Sequence, residues 1–199
     1  MQDTPSPVRL AARGFAPVEN ADASVLILGS MPGTASLKAG QYYAHPRNAF
    51  WPIMCALLKL DPQAPYAART GALKAAGIAL WDVLHSCIRD GSLDAAIDPD
   101  SEIVNDFSGF LLTHPKIHRI YFNGSKAEAS FKRHAVAGLG PGTPTLLRLP
   151  STSPANATYH FEQKLTAWRV ILDSTPHTER TGKTDWPPRP NLKENFCDV

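Results

Sequence analysis

Hydrophobic residues in this chain gather in short unbroken runs, and the segments between them carry helical spacing. Val25-Leu26-Ile27-Leu28 is apolar without alternation and ends at Gly29. Such a run reads as a strand buried on both faces. Residues 78–84, with Trp81 and Val83, read as a second strand. Residues 117–122, stopped by Asn123-Gly124, read as a third, and residues 144–149, ended by Pro150, as a fourth. Residues 50–60 read as a helix, with Pro46 or Asn48 near its start and Asp61-Pro62 beyond its end. A shorter helix is predicted over 70–76. Over 99–112, Ile103, Phe107, Phe110 and Leu111 fall near one helical face. Ala127, Phe131 and Ala135 repeat every four residues in the helix predicted over 125–135, and a last amphipathic helix is predicted over 157–172. Strands alternating with helices predict an α/β fold, three layers (α/β/α) around a central, mainly parallel four-stranded sheet.

Composition narrows the possibilities. The chain has 199 residues, 43% of them hydrophobic, which suits one core better than two. Residues 1–173 are expected to form a single domain with an irregular, Pro-rich segment over 1–20. Residues 174–199, with Trp186 and Phe196 as isolated anchors, are expected to be an extended tail. No apolar run reaches about 18 residues, so no membrane span is predicted, and the N-terminus carries no signal-peptide pattern. Cys55, Cys87 and Cys197 make neither a disulfide framework nor a zinc knuckle, so a reducing cytoplasm is the expected location. The net charge of +2 permits an acidic substrate or nucleic acid without requiring one. No P-loop or dinucleotide fingerprint is present. His114 and His118 lack a third ligand, so neither metal nor cofactor is expected. Asp82 and His85 lack a nucleophile beside them, and Asp82 is read as fixing a loop near the site.

A parallel sheet brings the ends of the strands at Leu28, Phe122 and Leu149 to one edge, where ligands bind in open α/β folds. The first loop carries Gly29, Ser30, Met31, Pro32 and Gly33, then Tyr42, Tyr43, His45, Arg47 and Asn48. The second carries Asn123, and the third Ser151, Thr152, Ser153, Pro154, Ala155 and Asn156. These residue types suit a planar polar ligand held by an aromatic face and amide groups.

These segments also carry a resemblance. Gly29-Ser30-Met31-Pro32-Gly33, Tyr42-Tyr43-Ala44-His45-Pro46-Arg47-Asn48-Ala49-Phe50-Trp51, Phe122-Asn123-Gly124 and Leu149-Pro150-Ser151-Thr152-Ser153-Pro154-Ala155-Asn156 resemble the uracil-DNA glycosylase superfamily, most closely its hypoxanthine-DNA (deoxyinosine) glycosylase branch. The resemblance covers about residues 22 to 172. Many members place Asp or Asn before the proline of the first motif to hold the attacking water. Met31 stands there in this chain, and a thioether is only a weak acceptor. Ser151 stands where the uracil enzymes have histidine.

The resemblance implies a metal-free enzyme acting on DNA that contains a deaminated base, with hypoxanthine favoured over uracil. It assigns Asn48 to water positioning and Tyr43 to stacking on the flipped base. Each assignment has an alternative: Asn48 can cap the following helix, and Tyr43 can be an ordinary half-buried tyrosine. Asn123 can pair with a base edge or simply occupy a turn before Gly124. The amides of Ser30 and Met31 can donate to a base oxygen, while Gly29 and Gly33 let backbone approach the ligand. Ser151, Ser153 and Asn156 suit the DNA strand, Ala155 the gap left by flipping, and His45 and Arg47 a phosphate. The bland readings are a stiff surface turn for the third loop and a loop brace for His45; Tyr42 shapes the loop. Lys126, Lys132 and Arg133 are phosphate candidates that a solvated helix face explains equally well. One flipped base requires only a monomer. A uracil or mismatch enzyme, or a module that grips DNA without cleaving it, stays open.

Overall fold

A computed structural model describes residues 11–140 and 142–173. Its strands are β1 (Ala11–Arg13), β2 (Val25–Gly29), β3 (Ile78–Asp82), β4 (Leu84–Ile88), β5 (Ile103–Val104), β6 (Arg119–Asn123) and β7 (Thr145–Leu149). Its α-helices are α1 (Thr34–Ala39), α2 (Phe50–Leu58), α3 (Tyr66–Ala75), α4 (Phe107–Thr113), α5 (Ser125–His134) and α6 (Phe161–Trp168). The main sheet has the order β3-β2-β6-β7, and every pair in it is parallel.

β2 lies at the centre, and its alternate residues feed two cores. Leu26 and Leu28 pack with Phe107 and Phe110 of α4 and Phe131 of α5. Val25 and Ile27 pack on the other face with Phe50, Ile53 and Met54 of α2, Leu73 of α3 and Trp168 of α6. Helices on both faces explain why the strands are continuous apolar runs. The predicted α/β/α sandwich with a parallel four-stranded sheet is thus the fold. The registers Gly29↔Asp82, Leu28↔Phe122 and Asn123↔Leu149 align the carboxyl ends of all four strands at one edge.

Several predicted boundaries are corrected. The strand expected over 78–84 divides: β3 ends at Asp82, and β4 leaves for a second, antiparallel sheet of order β1-β4-β5. The helix expected over 99–112 is a 3-10 turn at Pro99–Ser101, then β5, then α4. Two caps cause the division. Asp98 accepts from the Asp100 amide at the turn, and Asp106 accepts from the Gly109 amide at the start of α4. Ile103, counted on the apolar face, is 59% exposed. α3 begins at Tyr66 rather than 70, and α6 at Phe161 rather than 157, where His160 and Gln163 form a capping box. α2 stops at Leu58 because Lys59 turns left-handed with φ 55°. α1 was not foreseen. Within the segment expected to be irregular, 11–13 pair as β1 and Val18 bridges Leu80. The tail expected over 174–199 and the first ten residues lie outside the described residues.

Candidate active site

The three loops meet. They line one cavity of about 420 Å³ at the carboxyl edge of the sheet, together with Asp82 and the segment Ser92–Asp94. Of the residues singled out in the three loops, Asn156 alone does not border it.

The first motif turns sharply out of β2. Val83 donates its amide to the Gly29 carbonyl and Leu84 to that of Ser30, so the β3–β4 junction clamps the turn. Arg89 adds a hydrogen bond to the Pro32 carbonyl at 2.6 Å. Gly29 is required by packing: a Cβ there would stand 2.3 Å from Asp82 Oδ1 and 2.8 Å from the Tyr43 hydroxyl. Gly33 differs. It has φ −71° at the start of α1, and a Cβ would meet Ser92 at an ordinary 3.8 Å. The Met31 side chain is buried in the core that also holds Leu28 and Phe122.

Tyr42 and Tyr43 part company. Tyr42 is buried; its hydroxyl donates to the Ala16 carbonyl, its amide donates to Tyr66, and its carbonyl accepts from the Trp51 indole. Burial pushes its phenol far above the ordinary range. Tyr43 adopts φ 54°, a left-handed conformation that is rare outside glycine. One face of its ring stacks on Phe50 at 4.1 Å. The residue stays half-buried at the cavity wall, with its hydroxyl buried and without a hydrogen-bond partner among the described residues. Such local strain is held only where the surroundings over-determine it, and it gathers at functional sites.

Asn48 lies just before α2. Its Oδ1 accepts from the Phe50 amide at 2.9 Å, closing a turn that leads into the helix; the N-cap is Ala49, so the N-cap role expected for Asn48 is corrected. A carbonyl oxygen has a second lone pair, which leaves room for a water. His45 braces the same turn: its carbonyl accepts from the Asn48 amide, and Nδ1 accepts from that of Arg47. Accepting at Nδ1 places the proton of a neutral ring on Nε2. Arg47 is exposed at the cavity mouth.

Thr152 joins all three loops. Its carbonyl accepts from the Ala49 amide at 3.0 Å. Its amide donates to Asn123 Oδ1 and its hydroxyl accepts from Asn123 Nδ2, both at 2.8 Å. The Asn123 amide is therefore fixed in orientation, with one N–H and one lone pair left over. Gly124, at φ 99°, allows the close approach, since a Cβ would sit 2.8 Å from that of Ser151. In the third loop Ser151 Oγ accepts from the Ser153 amide and Ser153 Oγ from that of Ala155. Pro154 and Ala155 are exposed. Asn156 ties the loop to itself through the Ser151 carbonyl, and Lys164 donates to its backbone.

Two carboxyl groups complete the cavity wall. Asp82, read from sequence as a loop brace, is 3% exposed, and its Oδ2 has no partner among the described residues. Burial and the neighbouring Asp94 push its carboxyl up to about 7, only partly opposed by Arg89. Asp94 accepts from Ser30 Oγ at 2.7 Å and is itself shifted upward by burial. Asp94 and Ser92 had no sequence signal. They lie more than sixty positions from Ser30 and about thirty from Asn123, and only the fold brings them in.

Other candidates fall outside the cavity. Lys126 pairs with Glu102, and Lys132 with Glu128. His114 is tied to Glu19 and to the Phe110 carbonyl, and His85 is exposed on β4. Among the described residues no group of His, Cys, Asp and Glu is arranged to hold a metal ion, and no helix is long and apolar enough to cross a membrane.

Comparison with known proteins gives the family. The sequence profile of the uracil DNA glycosylase superfamily matches residues 16–172. A protein of Methanosarcina acetivorans named hypoxanthine DNA glycosylase is 35% identical over 161 residues, 80% of this chain and 97% of that protein. One of the same name from Methanosarcina barkeri is 39% identical over 116 residues, 58% of this chain and 72% of that protein. A solution NMR structure from Methanosarcina acetivorans, described as a uracil DNA glycosylase, superposes with a TM-score of 0.67 at 32% identity, over 82% of this chain and all of the other. This chain belongs to the uracil DNA glycosylase superfamily and, within it, to the hypoxanthine DNA glycosylase family.

Proposed function

We propose that the protein is a monofunctional DNA glycosylase that hydrolyses the N-glycosidic bond of deaminated bases, favours hypoxanthine and leaves an abasic site. The observation that most supports this is the gathering of Tyr43, Asn48, Asn123 and the Gly29–Met31 turn around one cavity of about 420 Å³. The names of the two Methanosarcina relatives point to the same substrate.

A base inside a duplex must leave the stack before its bond can be reached. The flipped base would lie on the open face of Tyr43, whose other face rests on Phe50. As the C1′–N bond lengthens, positive charge grows on the sugar and negative charge on the base. The amides of Ser30 and Met31 are fixed donors for the base oxygen, and they need no reorganisation during the reaction. Asn48, held by the Phe50 amide, offers its remaining lone pair to the attacking water. An amide is no base, so its contribution is position and electrostatics. The spare N–H and lone pair of Asn123 read the base edge. Ser151 and Ser153 lie along the DNA strand, where short hydroxyls and amides contact phosphate, and the exposed Pro154-Ala155 tip enters the gap left by flipping. No lysine lines the cavity among the described residues, so water is the nucleophile and no lyase step follows.

Labelled duplexes carrying inosine or uracil, incubated with protein and then cleaved with alkali, test the reading. Inosine-dependent cleavage is expected. Cleavage at uracil alone would reassign the substrate, and a borohydride-trapped adduct would reassign the mechanism. Burial of Met31 in the core, with no acid at that position, favours a second reading: a module that grips damaged or single-stranded DNA without cleaving it. Absence of turnover on either lesion by folded protein would select that reading.

A further inference from the structure

We propose that Asp82 is a general acid that delivers a proton to N7 of the leaving hypoxanthine; this rests on the glycosylase reading above. Asp82 ends β3 directly beside Gly29, in register with it, and its carboxyl stands against Gly29 at the start of the Ser30-Met31 turn, where a Cβ would meet Oδ1 at 2.3 Å. It is buried in the wall of the base cavity, and Oδ2 reaches no partner among the described residues. A buried polar atom left unsatisfied is costly, so its persistence at a cavity calls for a ligand. The Met31 position offers the site no acid, and the neighbouring strand end offers one.

Chemistry chooses the base atom. With the hypoxanthine oxygen on the motif amides, its ring neighbours on either side are N1–H and N7. A carboxylate would accept from N1–H but would oppose the negative charge growing on the leaving base. A protonated carboxyl instead finds the N7 lone pair and stabilises that charge. The surroundings favour the protonated form. Asp94 faces Asp82 from the following 3-10 turn, Tyr43 from the first loop and Arg89 from the end of β4, and Tyr42 and Tyr66 lie farther off. Burial and the acidic neighbour outweigh the single arginine. In the step, the C1′–N9 bond breaks and its electron pair goes to the base, while the Asp82 proton passes to N7. Water adds to C1′ and releases a proton to solvent, and the Asp82 carboxylate regains one from solvent after the base departs.

Three single-turnover measurements test this. Wild-type excision of inosine should fall as pH rises through about 7, because the protonated carboxyl is the active form. Asp82→Asn should slow the chemical step about a hundredfold and remove that limb. It should leave binding of a duplex with non-hydrolysable 2′-fluoro-deoxyinosine within threefold of wild type. On a 7-deaza-deoxyinosine duplex, wild type should lose cleavage, or keep a slow cleavage flat through pH 7 that Asp82→Asn slows no further. The proposal is overturned if Asp82→Asn keeps the limb or retains its rate within twofold. Should that variant fail to fold, the wild-type reaction on the deaza substrate decides, and cleavage within tenfold of inosine overturns the proposal. Wild type inactive on inosine would instead remove the underlying glycosylase reading, and the proposal with it.

Discussion

Asp82 and Glu102 are both buried carboxyl side chains, yet their surroundings shift them in opposite directions. Glu102 has 1% of its side chain exposed and pairs with Lys126 and with His134. Burial pushes its carboxyl up, but the hydrogen bond from Lys126 and the charges around it more than offset that, and it settles below the ordinary range. Asp82 meets the same burial beside another acid, and its carboxyl rises to about 7. Burial alone therefore does not set the charge of a carboxyl; the partners supplied by packing do. One acid staples β5 to α5, although its Oε2, 3.2 Å from His134 Nε2, makes no hydrogen bond among the described residues. The other keeps an unpartnered oxygen at a cavity, which is how reactive groups are commonly poised.

Four substitutions probe this contrast. The largest effect is expected on turnover from Asn48→Ala, at the cavity but without a charge. Inosine excision should fall by about 10²–10³ in rate with duplex binding retained, measured by single-turnover cleavage beside a binding titration. Loss of the bond to the Phe50 amide should cost about 1 kcal/mol of stability. Unchanged turnover would remove Asn48 from the chemistry.

Glu102→Gln should act on stability instead, lowering it by about 1–3 kcal/mol at pH 7 in urea unfolding, because Lys126 and His134 lose their anion. The folded carboxyl is shifted down, so its contribution is present above about 4.5 and vanishes as pH falls through the folded value. The loss should shrink accordingly in acid, and excision per folded molecule should not change.

Asp82→Asn should do the reverse and stabilise the protein by a few kcal/mol at pH 8. Its folded carboxyl is raised from 3.8 to about 7, so its contribution is full below about 4 and declines as pH rises to 7. The gap between variant and wild type should therefore be absent near pH 4 and complete above 7. A variant that is less stable than wild type at pH 8 would break the contrast with Glu102.

Asp94→Asn gives the smallest effect. It removes the acidic neighbour while its Oδ1 can still accept from Ser30. The pH at which wild-type excision declines should move down by a fraction of a pH unit, read from the same single-turnover profile. An unmoved profile would show that burial, not Asp94, holds the Asp82 proton.

The legible parts of the fold were those with long local patterns. Val25–Gly29 and Arg119–Asn123 read as buried strands because helices cover both faces of the sheet. β1 and β5, three and two residues long, have no period to detect, so the second sheet was not foreseen. The helix expected over 99–112 failed because an apolar spacing cannot reveal that Asp98 and Asp106 each begin a new element. In the site, Tyr43, Asn48, Asn123 and the Ser151–Ala155 loop were found because their motifs are contiguous and the parallel sheet brings its strand ends together. Asp94 was missed, and Asp82 was taken for a brace, because nothing beside either in the chain shows that both carboxyls meet at Gly29 and Ser30.

By itself the sequence determined the parallel sandwich, the edge at which the loops gather, and the motifs that carry the family. These follow from period and composition, which act over a few residues. The tertiary structure alone decided that Thr152 binds the three loops together, that Tyr43 strains to keep one face at the cavity, and that burial raises the Asp82 carboxyl while cations lower that of Glu102. The reason is physical: strain, desolvation and charge depend on the atoms within a few ångströms of a group, and folding draws those atoms from distant parts of the chain.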